Sequence, residues 1–317
     1  MIPGPVHDLI VIGAGPAGLA AAVAARVLGV ETLVLDGGPL PGGQLLRNPT
    51  PIRDCPGIEA PSGPLLAQRL RDHLAREGGV VESGQLVERL DGERGEVVVA
   101  GQTRRARFLL LATGARPRRL GIPGEAEAIG RGRSPVAREH GERYRGRTVL
   151  VVGGGDVALE EALLFAERCE RVLLAHRGDR FRARHDFVAA AAANRRIEIR
   201  FATTLQAIEG HPDVEWARIR GPAGDERLAV AGVVICAGLA PASELVIGQV
   251  ALDPQDFVIT DVRQRTSLPR LYAAGDLCAA SPWTVAAALG QGATAVKDIE
   301  RRLWGTRPPG GPSWPPE

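Results

Sequence analysis

Cysteine is scarce in this chain, and scattered. Cys55, Cys169, Cys236 and Cys278 are its only four. No Cys-x-x-Cys and no metal-ligand spacing occurs among them, which argues against a zinc site, a disulfide framework or a sequence-local dithiol. Scattered free thiols suit a reducing cytoplasm. No run of about 18 apolar residues exists, so no membrane span is expected. The opening Met1-Ile2-Pro3-Gly4-Pro5 lacks the charged and apolar regions of a secretion signal. A net charge of +2 demands no nucleic-acid partner. Methionine and lysine are each reduced to one residue, Met1 and Lys297, so nearly all basic residues are arginine. That bias fits a GC-rich or thermophilic source better than a binding role. What the chain does have is a 44% hydrophobic fraction over 317 residues, ample for two domains.

It also has two glycine-rich turns 140 residues apart, Gly13-Ala14-Gly15-Pro16-Ala17-Gly18 and Gly153-Gly154-Gly155-Asp156-Val157-Ala158. Each follows a short apolar run, Leu9–Ile12 or Val149–Val152, and each opens an Ala/Leu-rich stretch of helical character. Strand, glycine turn and helix together suit a pyrophosphate. The first glycine allows the tight turn, the second lets the backbone approach phosphate, and the third position needs a small residue. The helix N-terminus supplies free N–H groups and a positive dipole end.

The same count of 23 residues leads from Gly13 to Asp36 and from Gly153 to His176. Asp36 ends the second apolar strand, Leu33–Leu35, where a carboxylate can accept from an adenosine ribose hydroxyl; a solvated strand-ending acid is the plainer alternative. In the second unit the acid is replaced by His176-Arg177-Gly178-Asp179-Arg180-Phe181-Arg182. Arginine pairs with a 2′-phosphate that a carboxylate would repel, so this unit reads as NADPH-binding; a solvated basic face is the alternative. Two nucleotides of different kinds suggest a flavoenzyme.

Between and beyond these units, apolar spacing predicts a helix over Leu65–Glu77 and strands over Gln85–Leu90, Glu96–Ala100, Phe108–Ala112 and Val233–Cys236. Leu271–Ala274 reads as a strand running into Gly275-Asp276, and Trp283–Leu303 as a helix. Gly305–Glu317 reads as a mobile tail. The second unit is thus inserted into the first.

These pieces resemble the low-molecular-weight thioredoxin reductases and the related thioredoxin-reductase-like ferredoxin–NADP reductases over nearly the whole chain. The matching stretches are Gly13–Gly18 with Asp36, Gly42-Gly43-Gln44, the Ile52–Gly57 turn that includes Asp54, Ala112-Thr113-Gly114-Ala115, Gly121–Glu125, Gly153–Ala158 with Glu160–Ala162, His176–Arg182, and Ala273–Asp276. The fold implied is α/β, two Rossmann-like dinucleotide-binding domains of the three-layer ββα type, the NADPH domain inserted into the FAD domain. Residues 1–116 and 244–304 would form the FAD domain, 117–243 the NADPH domain and 305–317 the tail. The resemblance implies FAD, NADPH and a homodimer. It places Gly13, Gly15, Pro16, Ala17, Gly18, Asp36, Gly43, Gln44, Asp54, Ala112, Thr113, Gly114, Gly275 and Asp276 at FAD, with Asp276 on the ribityl–phosphate region. Asp276 could equally cap a helix. Gly153, Gly155, Asp156, Val157, Ala158, His176, Arg177 and Arg182 would hold NADPH.

The departures are informative. Where thioredoxin reductases carry their Cys-x-x-Cys, this chain has Val136-Ala137-Arg138-Glu139. A dithiol relay needs two sulfurs in reach of each other. Cys55 and Cys278 are candidates for a substitute pair, or are two small buried hydrophobes. Cys169 and Cys236 read as packing. Relatives often have two adjacent arginines where this chain has Arg177-Gly178, leaving Arg177 and Arg182, with Arg180 or Arg184 able to compensate. An Arg-Gln pair of relatives is Trp283-Thr284 here. Trp283 would stack on or shield a flavin, or serve as a core or dimer-interface aromatic. Arg53 occupies the position where the ferredoxin reductases place an aromatic, and Trp314 is the tail's candidate for covering the flavin. His140 and His176 carry no argument for lying at it. The expected activity is hydride transfer from NADPH to FAD, then direct transfer to an external acceptor such as ferredoxin, flavodoxin, a quinone or free flavin. Disulfide reduction through unconventional cysteines is the alternative. A non-catalytic sensor is a third reading, disfavoured because a sensor has no need of a hydride donor.

Overall fold

The computed structural model describes residues 6–48, 51–128 and 141–305. The stretch at Val136–Glu139, His140 and Trp314 lies outside them. The chain divides into two units, Met1–Arg116 with Ala240–Glu317, and Pro117–Leu239.

In the first unit, β1 (Val6–Ile12) leads through the glycine turn into α1 (Pro16–Leu28) and β2 (Thr32–Asp36). Helix α2 (Gly63–Arg76) is started by Ser62, whose Oγ accepts from the Leu65 N–H at 3.4 Å. Then come β3 (Glu82–Ser83), β4 (Val87–Asp91), β5 (Glu96–Val99), β6 (Gln102–Leu111) and β7 (Ala115–Pro117). β1 pairs in parallel with β2 and with β6. β6 begins at Gln102, well before the apolar run at Phe108. Its first half pairs antiparallel with β5, a polar stretch that hydrophobic pattern alone does not mark as strand.

The second unit repeats the plan. β8 (Thr148–Gly153) enters the second glycine turn, followed by α3 (Asp156–Ala166), β9 (Arg171–Ala175), α4 (His185–Ala193) and β10 (Ile197–Arg200). β11 (Thr204–Glu209), β12 (Trp216–Gly221) and β13 (Gly224–Ala229) form an antiparallel sheet. β14 (Gly232–Cys236) returns to complete a parallel sheet of order β10-β9-β8-β14. The chain re-enters the first unit through β15 (Leu239–Pro241), adds β16 (Leu271–Ala273) to β6 in parallel, and ends in α5 (Val285–Trp304).

The layering follows from residues alternating across each central sheet. Leu9, Val11 and Leu110 pack into one cluster with the alanines of α1 and α5, while Ile10, Ile12, Leu109 and Leu111 pack on the other side with Val87, Leu90, Val97 and Val99 of β4 and β5. In the second unit Val149 and Val151 meet α3, and Leu150 meets Leu205, Ala217 and Ile219 of the antiparallel sheet. A strand covered on both faces reads as a continuous apolar run. Each fully buried Leu or Ile contributes roughly 1.5–3 kcal/mol. α1 and α5 approach closely because residue 292 is glycine: a Cβ there would overlap the Ala17 carbonyl.

Helix α5 starts at Val285, two residues later than its apolar pattern suggests. Thr284 caps it instead, its Oγ1 accepting from the Ala287 N–H at 3.2 Å, which leaves Trp283 outside the helix.

Candidate functional site

The first glycine turn is built so that backbone, not side chain, faces the cleft. Gly13 sits at φ +100°, its N–H bonded to the Leu35 carbonyl at 2.7 Å, and a Cβ would overlap the Ala112 carbonyl. Gly18 lies behind the cleft, where a side chain would strike the Gly13 carbonyl. Gly15 caps α1 without a side chain, so the helix presents its first N–H groups and positive dipole end to the cleft.

Asp36 braces this turn. Its Oδ2 accepts from the Ala14 N–H at 2.6 Å and its Oδ1 from the Gly38 N–H at 2.8 Å. Each carboxylate oxygen has a second lone pair, so bracing leaves it able to accept from a hydroxyl. Opposite, Gly43 adopts φ +55°, and a Cβ there would come within 2.9 Å of the Gly15 Cα. The next residue, Gln44, donates through Nε2 to Asp276 Oδ2 at 2.8 Å. The Gly275 N–H is held by Gln291 Oε1 of α5 at 2.7 Å. Burial pushes the Asp276 carboxyl above the ordinary carboxylate value, against the pull of the Gln44 bond.

These pieces enclose a cleft of about 500 Å³, within the range of small-molecule and cofactor sites. Gly13, Gly15, Pro16, Ala17, Asp36, Gly43, Gln44, Ala112, Thr113, Gly114, Gly275 and Asp276 all line it. Its glycine cradle, its open helix N-terminus and its two separated acids, Asp36 and Asp276, fit a dinucleotide such as FAD. Asp54 departs from the sequence expectation: it is exposed and lies outside the cleft lining. The Ile52 N–H bonds to the Ala60 carbonyl at 2.9 Å, closing a loop that carries residue 54 outward. Trp283, which the sequence offers either as a flavin-stacking residue or as a packing aromatic, lines the cleft, and so do Arg47 and Val285. No turn signature in the sequence marks Arg47 or Val285.

The second turn uses a different brace. Gly153 has φ +157°, and a Cβ would stand 2.7 Å from both the Ala158 Cβ and the Cys236 carbonyl oxygen. Gly155 caps α3, again without a side chain. His176 is buried beneath the turn, where its imidazole fills the space a Gly154 side chain would need. It packs against Phe181 at 5.6 Å and Phe201 at 6.4 Å. Burial holds its pKa below the ordinary histidine value, helped by Arg182 and Arg177, so the ring is a neutral wedge and not a charged phosphate ligand. A side chain at Gly178 would come within 2.9 Å of its Nε2. The basic loop is tied to the turn by backbone: the Arg182 N–H donates to the Gly154 carbonyl at 2.8 Å, and the Arg184 N–H to Asp156 Oδ1 at 2.7 Å. Arg177, Arg180 and Arg182 are exposed and carry no ion pair among the described residues. Arg184 is engaged with Asp186 at 2.6 Å. Val157 on α3 is 61% exposed, and Ala158 is buried.

All four cysteines are free. Cys55 packs with Leu45, Ile52 and Leu66, whereas Cys278 belongs to a different cluster with Val258 and Leu277, so the structure does not bring the two together as a pair. Burial raises every thiol: Cys55 upward, Cys169 to about 11, and Cys236 and Cys278 to about 12.

Residues 7–292 match the family described as pyridine nucleotide-disulphide oxidoreductase. A thioredoxin reductase of Mycolicibacterium smegmatis is 39% identical over 303 residues, covering 94% of this chain and 97% of the relative. The crystal structure of Lactococcus lactis thioredoxin reductase superposes with a TM-score of 0.82 at 30% identity, over 93% of this chain and 98% of that one. The thioredoxin reductase of T. acidophilum gives a TM-score of 0.81 at 25% identity, over 95% and 99%. With both glycine turns, their strands and their helices inside the match, the chain belongs to the pyridine nucleotide-disulphide oxidoreductase family and is a thioredoxin reductase-like, FAD- and NAD(P)H-dependent oxidoreductase.

Proposed function

We propose that this protein oxidises NADPH and delivers the electrons from its FAD directly to an external acceptor, without a dithiol of its own. The observation that carries this is the state of the thiols. A redox dithiol needs an accessible sulfur with a lowered pKa, and here all four are raised by burial. The Cys-x-x-Cys of the resembled family is Val136-Ala137-Arg138-Glu139 in this sequence.

The residues divide the work. The α1 N-terminus and the Gly13–Gly18 turn hold a pyrophosphate through backbone N–H groups. Asp36 accepts from the adenosine ribose while bracing Ala14. Asp276, oriented by Gln44, accepts from the ribityl hydroxyls. In the other unit the α3 N-terminus takes the nicotinamide dinucleotide's pyrophosphate, and Arg177 and Arg182 pair with its 2′-phosphate. His176 keeps the turn open for them. FAD, when bound, supplies the hydride acceptor and the onward electron donor.

The acceptor class is an electron carrier of the ferredoxin or flavodoxin type, or a small molecule such as a quinone. The working form is a homodimer in a reducing cytoplasm. Similarity to thioredoxin reductases favours a second reading, disulfide reduction, for which Cys55 and Cys278 are the candidate thiols. An acceptor screen with the reduced enzyme decides between them. It should cover thioredoxin, other disulfides, ferredoxin, flavodoxin and quinones, with Cys55→Ser and Cys278→Ser alongside. The proposal expects turnover with a carrier or quinone, untouched by either substitution; turnover confined to disulfides and abolished by them would replace it with the second reading.

A further inference from the structure

Trp283 stands at the cleft in a backbone conformation that residues bearing a Cβ rarely adopt, φ +53°. Such a conformation persists only where the surroundings hold it. Here the surroundings are specific. Thr284 begins α5 by capping the Ala287 N–H, and the Trp283 N–H reaches Ser281 Oγ at 3.4 Å. The indole thereby leaves the helix and lies over Phe257, ring centroids 5.7 Å apart and planes at 33°.

Phe257 is 3% exposed, whereas Trp283 is 51% exposed. The indole thus touches a buried ring while half of its surface stays exposed, and the residue lines the cleft. A tryptophan used only for packing would lose that exposure. A tryptophan idle on the surface would need neither the left-handed backbone nor a buried aromatic beneath it.

The cleft has a chemical direction. Asp36 braces Ala14 at one end, Gly15 and Gly43 meet in the middle, and Gln44 pairs with Asp276 beyond them. A dinucleotide with its adenosine ribose at Asp36 and its pyrophosphate on α1 directs its second ring past Asp276, to the part of the lining that remains, where Trp283 is found. We propose that Trp283 is the stacking wall of the flavin site, its exposed indole surface packing on the isoalloxazine of bound FAD and fixing the ring in the cleft. This rests on the FAD reading of the cleft.

The test uses flavin-free wild-type protein, Trp283→Gly and Trp283→Phe, each titrated with FAD while flavin fluorescence is followed. Glycine accepts the left-handed backbone, so strain cannot account for a loss. An indole in contact with a flavin quenches its emission by donating an electron to the excited ring. The wild type is expected to bind FAD with strongly quenched emission, and Trp283→Phe to retain most of the affinity. Trp283→Gly should bind roughly two- to tenfold more weakly, with emission several-fold brighter, and its apoprotein should melt no lower than the wild type. Unchanged emission and affinity in Trp283→Gly would overturn the proposal, leaving the indole as a cover for Phe257. Should Trp283→Gly fail to fold, Trp283→Leu keeps the bulk without the π system and is read by the same two outcomes. A wild type that binds no FAD would be a separate failure, of the FAD reading itself.

Discussion

Replacing Asp276 with Asn separates what the cleft costs the empty protein from what it gives the occupied one. Burial raises the Asp276 carboxyl above its ordinary value of 3.8, only partly offset by the Gln44 bond. A carboxyl whose folded-state pKa exceeds its unfolded value takes up a proton on folding. Its favourable contribution is complete below 3.8 and is lost as the pH rises through the folded value. At neutral pH the apoprotein therefore holds an unfavourable charge at the cleft, which Asn removes while still accepting from Gln44 Nε2. Flavin-free Asp276→Asn should melt at or above the wild type at pH 7, and that advantage should shrink as the pH falls toward 4. FAD binding should move the other way. Exchanging a charge-assisted bond for a neutral one costs about 1 kcal/mol, roughly a fivefold weaker Kd, and Asp276→Ala should lose roughly tenfold or more. Thermal melts of the apoprotein between pH 4 and 8, beside FAD titrations at pH 7, measure both. An apoprotein destabilised at pH 7 together with an unchanged Kd would contradict both expectations.

Gly13→Ala forces a Cβ onto the Ala112 carbonyl at φ +100°, which should cost more than about 3 kcal/mol and yield protein with little bound FAD, checked by the flavin-to-protein absorbance ratio and a melt. Arg177→Ala and Arg182→Ala should each raise the KM for NADPH by roughly tenfold or more, the loss of a charge-assisted bond to phosphate, while NADH kinetics stay nearly constant; equal effects on both nucleotides would dismiss the phosphate clamp. Asp298 on α5 accepts from Arg265 at 2.6 and 2.7 Å and from the Tyr272 hydroxyl at 2.6 Å. Asp298→Ala should destabilise by about 3–5 kcal/mol in urea unfolding, because it strands a partly buried cation and a buried hydroxyl. Burial alone would raise that carboxyl, but the Arg265 and Tyr272 bonds outweigh it and hold it below 3.8. Its contribution is therefore present above 3.8 and should fade as the pH drops through the folded value.

Both dinucleotide units were legible in the sequence because their signals are local. Gly13, Gly15 and Asp36, like Gly153, Gly155 and His176, lie in one strand–turn–helix–strand stretch, where spacing alone sets the geometry. What escaped depends on residues distant in sequence. β13 exposes nearly every side chain, so no apolar alternation marks it, and only its pairing with β12 makes it a strand. The sequence suggested a basic clamp beginning at His176, but the ring is turned inward under Gly154, a packing choice set by Phe181 and Phe201. Asp54 shares its turn with the family pattern, yet the Ile52–Ala60 bond carries it out of the cleft. Trp283 was read into the helix because its apolar character continues the pattern; the cap at Thr284 excludes it. Cys55 and Cys278 both flank segments expected near FAD, but proximity in that sense does not bring sulfurs together, and they pack in separate clusters.

Under the proposed function, the protein holds its electrons on FAD alone. Anaerobic titration of the FAD-loaded enzyme, with dithionite and separately with NADPH, counts them directly. Complete bleaching is expected after two electrons per FAD, with about one equivalent of NADPH sufficient apart from the binding equilibrium. Uptake of four electrons per FAD, with the second pair lost on replacing Cys55 or Cys278, would reveal a redox-active disulfide and overturn the proposed function.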